Sequence, residues 1–249
     1  MAAHNPLVSL SRLKVKRLDP GRYQEVEAPL FQSATRVQES VLATIERRAL
    51  LWMAQRLPAA VNSDHLTALG FAAQFLAGVC YALSSIHRYF LLAATLCLFL
   101  NWFGDSLDGT LARVRNQQRP RYGFYVDHIV DSFGALFLMG GLALSGYLHP
   151  LVAIGMLIAF LLLSIEVYLA TYTLDCFRLS YGGFGPTEIR VLLAIGNVTL
   201  LFHPTVTLLG QRYLLFDVGG VIAIAGMLFI LLISVGTHTI QLYRKETLR

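Results

Sequence analysis

The chain has 249 residues, 55% of them apolar and 14% charged, with a formal net charge of +5. That balance is too apolar for an ordinary soluble domain, and the apolar residues run in stretches longer than a soluble core requires. A membrane protein is expected, with the lipid bilayer as its surroundings and no nucleic acid among its partners.

In chain order, residues 1–35 are polar and punctuated by Pro6, Pro20 and Pro29, as in a loosely ordered cytoplasmic arm. They lack the apolar run of a cleavable signal peptide. From about Ser40 to Arg56 the pattern turns helical. Val41, Leu42, Ile45, Ala49, Trp52 and Met53 recur at helical spacing, while Glu39, Glu46, Arg47 and Gln55 fall mostly elsewhere. Such a helix either lies on the membrane surface with Trp52 at headgroup depth or packs on the protein itself. Pro58 ends it, and Asn62 or Ser63 can cap the next helix, with Asp64 in its first turn.

Six stretches then suit a bilayer, at about 68–86, 89–112, 124–147, 151–174, 188–209 and 214–240. None shows the period-2 alternation of barrel strands. The expected fold is all-α and integral to the membrane: six transmembrane helices preceded by an N-terminal amphipathic juxtamembrane helix. Residues 1–57 form the arm and surface helix, 58–243 a six-helix catalytic domain, and 244–249 a cytoplasmic tail. Nine of the 20 Lys and Arg residues precede the first span, and only Arg88 and Arg212 fall on the opposite side of the alternating connections. This places both termini in the cytoplasm. Cys80, Cys97 and Cys176 have no metal-type spacing and read as small apolar residues. Glu166, inside the fourth span, must face protein rather than lipid, as a hydrogen-bonded structural acid.

Four of the 15 acidic residues fall within one short window. Asp105 and Asp108 close the second span at i, i+3 and share a helical face with Gly109 and Ala112 nearby. Gly123, Asp127 and Asp131 are spaced by four and line one stripe of the third span. The connection is short, so the two helices are expected to be antiparallel neighbours that bring both acidic ends to one depth. Carboxylates at such a depth are costly and indicate function. Four of them repel unless cations intervene, and hard Mg²⁺ or Mn²⁺ ions suit an all-oxygen donor set. A site of two such ions is expected. Gly109 and Gly123 would allow close approach of a helix or ligand, and Arg113 could neutralise a phosphate beside the metals.

The run Asp105-Ser-Leu-Asp108-Gly109-Thr-Leu-Ala112-Arg113, nine residues, Gly123, three residues, Asp127, three residues, Asp131 resembles the signature of the CDP-alcohol phosphotransferases. All eight signature positions are present. The resemblance implies six helices around a cytoplasm-facing polar cavity, in a homodimer, with the plasma or inner membrane as its place if the source is bacterial. It implies transfer of a substituted phosphate from a CDP-alcohol to an acceptor alcohol, with release of CMP, in phospholipid biosynthesis. Asp105, Asp108, Asp127 and Asp131 would then be metal ligands and Asp131 also the base that deprotonates the acceptor. Asp105, Gly109, Ala112, Arg113 and Gly123 would line the nucleotide pocket.

Residues outside the signature leave the substrates open. His128 gives Asp-His-x-x-Asp, which is similar to the choline and ethanolamine branch, whose donor is a CDP-amino alcohol and whose acceptor is a diradylglycerol. CDP-diacylglycerol with a small polar acceptor is the other subclass. His128 lies off the Asp127 stripe, so hydrogen bonding or packing competes with chemistry. Arg119 and Arg121 can bind an anionic headgroup or simply anchor the cytoplasmic side. Gly182-Gly183-Phe184-Gly185-Pro186-Thr187-Glu188-Ile189-Arg190 precedes the fifth span; Glu188 and Arg190 either reach the cavity to position the acceptor or cap the helix. Two rivals use acidic membrane residues, an intramembrane prenyltransferase and a cation transporter. The first spaces its acidic motifs far more widely, and the second has no need of Gly109, Ala112 and Arg113.

Overall fold

A computed structural model of the chain describes residues 35–37, 43–174, 176–178 and 185–246. The proposed arm before residue 35, the start of the amphipathic pattern at Ser40–Leu42, and Gly182, Gly183 and Phe184 lie outside the described residues. The elements in order are β1 (Thr35–Val37), α1 (Ala43–Ala54), α2 (Ser63–Leu83), α3 (Phe90–Val114), α4 (Pro120–Leu144), α5 (Pro150–Leu174), β2 (Cys176–Arg178), α6 (Pro186–Phe202), β3 (Thr205–Leu208), β4 (Gln211–Leu214) and α7 (Leu215–Lys245). The protein is helical, with two short strand pairs: β1 parallel to β2, and β3 antiparallel to β4.

Local signals explain the helix starts. Asn62 takes the cap of α2: its side chain accepts from the His65 amide at 2.9 Å, and His65 Nδ1 accepts from the Asn62 amide. Proline opens α4, α5 and α6, where its missing N–H costs nothing and its fixed φ suits the first turn. Among the described residues five helices, α2, α3, α4, α5 and α7, are long and apolar enough to cross a membrane. Helix α6 has 17 residues.

The apolar run expected to continue to residue 209 is cut at Pro204. Beyond it, Thr205, Val206 and Thr207 favour extended backbone, and β3 turns back into β4 through Leu209 and Gly210. Both turn residues have positive φ, 50° and 80°, which suits a two-residue hairpin of right-handed twist.

Helix α2 lies between α3 and α4 and packs along both, while α3 and α4 make little direct contact. This corrects the expectation that α3 and α4 are neighbours. The reason is a pair of glycine crossings that sequence spacing did not single out. A Cβ at Gly104 would lie 2.5 Å from the Leu66 carbonyl oxygen and 2.6 Å from the Gly70 nitrogen, and one at Gly141 would strike the Gly78 carbonyl. Only hydrogen fits at these crossings, and backbones meet there as they do in other membrane bundles. Outside this trio, α6 packs on α3, α5 on α4 and α7 on α5.

Two apolar clusters flank the middle of the bundle. One joins Tyr81, Leu91, Leu98, Leu142 and Leu200; the other joins Leu50 and Ala54 of α1 to Leu66, Leu107 and Leu111. Helix α1 therefore rests one face on α2 and α3, while Trp52 is 58% exposed. Arg115, at the end of α3, donates to the carbonyls of Val61, Leu57 and Pro58 and pins the link between α1 and α2.

Candidate active site

Between the two clusters lies a small cavity lined by α2, α3 and α4. Helix α3 contributes Asn101, Asp105 and Asp108; α4 contributes Asp127, Val130 and Asp131; α2 contributes Thr67, Gly70, Phe71 and Gln74. All four aspartates thus line one space, with α2 as its floor. The i, i+3 and i, i+4 spacings deliver them to one face of each helix.

Their surroundings differ. Asp108 is buried, and its Oδ2 accepts from Thr67 Oγ1 at 2.6 Å while Oδ1 takes the Gly109 amide. Ser63 Oγ donates to the Asp108 carbonyl at 3.0 Å. Asp105 Oδ2 accepts from Arg190 at 2.6 Å. The same guanidinium donates through Nε to Asn101 Oδ1 at 2.8 Å, and Asn101 Nδ2 donates to the Gly70 carbonyl. One polar chain therefore runs from α6 through α3 to α2. Asp127 and Asp131 stand on the exposed wall of the cavity, and Asp131 makes no hydrogen bond among the described residues.

Other residues singled out by sequence fall in several places. Arg113 donates to Thr110 Oγ1 at 3.0 Å on its own helix. A Cβ at Gly123 would meet nothing within 4 Å, and one at Gly109 would meet only the Arg113 side chain. Neither glycine serves helix contact. Arg119 pairs with Asp64 and stacks over Tyr122 at the surface, beside a second polar hollow lined by Asn62, Ser63, Gln117 and Gln118. Arg121 sits in the first turn of α4.

His128 Nδ1 meets the Phe124 carbonyl, and its ring stacks against Phe124 and Tyr168, with centroids 4.0 and 4.3 Å away. Its surroundings are aromatic packing between α4 and α5. Glu188 is buried and accepts from the Gly185 amide at 2.9 Å, so it caps α6. Of the Glu188 and Arg190 pair, Arg190 is the one that reaches an aspartate of the site. Sequence reasoning missed Thr67, Gln74 and Asn101 as parts of the site. Gln74 and Asn101 are polar residues inside expected apolar spans, which was signal enough, whereas Thr67 lies just ahead of the first.

Residues 60–235 match the CDP-alcohol phosphatidyltransferase family. The chain belongs to that family. A search among curated proteins found no match. Membership in the CDP-alcohol phosphatidyltransferases makes the protein a multi-pass membrane transferase of phosphate-containing groups, with CDP-alcohol and alcohol substrates in phospholipid synthesis. It displaces the prenyltransferase and cation-transporter readings.

Phosphatidyltransferases of this family generally depend on divalent metal. The donor set here fits a hard cation: four carboxylates around one cavity, with hydroxyl and amide oxygens on its floor. Among the described residues no three His, Cys, Asp or Glu side chains are already gathered as a metal cage. Asp105 is instead turned to Arg190 and Asp108 to Thr67.

Proposed function

We propose that the protein is a CDP-alcohol phosphotransferase that moves a substituted phosphate to an acceptor hydroxyl and releases CMP. The observation that carries this reading is the convergence of all four signature aspartates on one cavity. Asp105, Asp108, Asp127 and Asp131 are the residues that would hold two Mg²⁺ or Mn²⁺ ions. When bound, those ions would neutralise the pyrophosphate and stabilise departing CMP. Gly109, Ala112 and Gly123 leave room for the cytidine diphosphate, and Arg113 supplies positive charge at the end of α3.

Asp131, which makes no hydrogen bond among the described residues, is proposed also as the base. The acceptor O–H loses its proton to Asp131 as its oxygen bonds to the phosphorus, and the P–O bond to CMP breaks with CMP taking the electron pair. Arg190, already between Asp105 and Asn101, and Arg121 supply positive charge for the acceptor side. His128 contributes through packing of α4 on α5. Residues 58–243 form the catalytic domain, with six spans, the site facing the cytoplasm and two copies in the assembly. Particle mass in nanodiscs checks the last point.

The test is a donor screen on purified protein with Mg²⁺ or Mn²⁺. CDP-diacylglycerol with small polar alcohols forms one arm, and CDP-amino alcohols with diacylglycerol the other. CMP release from one arm, abolished by EDTA, is expected. Folded protein that releases no CMP from any donor with either metal would overturn the proposal.

A further inference from the structure

Glu46 lies outside the signature, on α1, and the proposed chemistry makes no use of it. Its Oε1 nevertheless accepts three hydrogen bonds, from Trp102 Nε1 at 2.7 Å, Ser106 Oγ at 3.2 Å and Thr187 Oγ1 at 2.8 Å. These donors come from α3 and α6, so a single carboxylate oxygen ties three helices together. All four residues are half-buried. Removing the shared acceptor would strand three donors with limited access to water, which costs more than the bonds themselves contribute.

The placement of those donors matters more than their number. Trp102 adjoins Asn101 and Ser106 adjoins Asp105, the two residues that Arg190 grips. Thr187 lies three residues before Arg190, in the same opening turn of α6. Two clamps therefore act on the same pair of helices. Arg190 joins α6 to α3 on the cavity side, and Glu46 joins them from α1.

We infer that Glu46 is a positioning residue: it fixes the first turn of α6 on α3 and so holds Arg190 against Asp105. This rests on the phosphotransferase reading of the cavity. It makes α1 a working part of the site, because a small misplacement of a positioning group can cost a large factor in rate.

The test compares wild type, Glu46→Gln, which keeps the carbonyl Oε1 acceptor, and Glu46→Ala, which removes it. All are full-length proteins in nanodiscs. Hydrogen exchange over residues 186–190 should rise in Glu46→Ala and stay near wild type in Glu46→Gln. With the donor found by the screen, kcat should fall roughly ten- to a hundredfold in Glu46→Ala, recover in Glu46→Gln, and leave donor KM within about threefold. Adding Glu46→Ala to Arg190→Lys should cost little beyond Arg190→Lys alone, since both act through one group. Unchanged exchange in Glu46→Ala, unchanged kcat, or additive losses in the double variant would each overturn the inference. Wild-type protein that releases no CMP would instead remove the functional reading beneath it.

Discussion

The four aspartates carry like charges yet occupy unlike settings. Asp108 is buried with a hydroxyl on one oxygen and an amide on the other, Asp105 is paired with a guanidinium, and Asp131 faces open space without a hydrogen bond among the described residues. A carboxylate that is held on both oxygens is suited to ligation in a fixed pose. One that carries no hydrogen bond is suited to accept a proton. Replacing Asp131 by Asn should therefore lower turnover by roughly 10²- to 10⁴-fold, the range for loss of a general base. Binding of CDP, measured by calorimetry with Mn²⁺ present, should persist. Normal turnover in Asp131→Asn would show that the proton goes elsewhere.

At the scale of elements, the glycines divide into two kinds. Gly104 sits where a Cβ would press on the backbone of α2, and Gly123 where a Cβ would meet nothing. Gly104→Ala should destabilise the fold by about 1–3 kcal/mol through overpacking against atoms that cannot rotate away. Gly123→Ala should leave the thermal midpoint unchanged or slightly higher, since alanine is the better helix former by about 1 kcal/mol, and should raise the KM for the CDP-alcohol. Midpoints and kinetics measured on the same preparations separate the two; an equal thermal loss in both variants would contradict the division.

Which glycine was which could not be read from the sequence. Gly109 and Gly123 stood out because they belong to a motif, whereas Gly70, Gly78, Gly104 and Gly141 matter only once α2 is known to lie between α3 and α4. The acidic stripes themselves were legible, because helical periodicity puts Asp105 with Asp108 and Asp127 with Asp131 whatever the neighbours. The end of α6 was not, because the β-branched residues after Pro204 prolong an apolar run while changing its backbone. Glu188 and Arg190 looked alike in the sequence. The distinction between a cap and a cavity residue depends on a difference of about 200° in helical direction, two residues at about 100° each, against a partner not yet placed.

For the whole molecule, the open question is how the chain alternates across the bilayer. Five helices are long enough, and α6, at 17 residues and about 1.5 Å per residue, spans somewhat less than a hydrocarbon core of about 30 Å. The β3–β4 hairpin follows it directly, with Leu209 fully exposed at its tip. If α6 crosses, the hairpin lies on the side opposite both termini. A Leu209→Cys variant, with the native cysteines replaced by alanine, should react with a membrane-impermeant maleimide added to intact cells. A cysteine at Arg249 should react only after lysis. Protection of Leu209→Cys in intact cells would remove the sixth crossing.

Helix α2 brings no acid to the cavity, yet its thickness sets the distance between the two acidic helices. It works as a gauge block: α3 is pressed to one side at Gly70 and Gly104, and α4 to the other at Gly78 and Gly141. The width of the gap between the carboxylates is thus written in glycines that carry no charge of their own. In the proposed chemistry this matters because Mg²⁺ demands oxygens at about 2.0–2.1 Å while larger Ca²⁺ accepts about 2.3–2.6 Å. A single methyl added at one of these crossings should change that width, and with it the size of ion the site suits, without replacing any of the four aspartates.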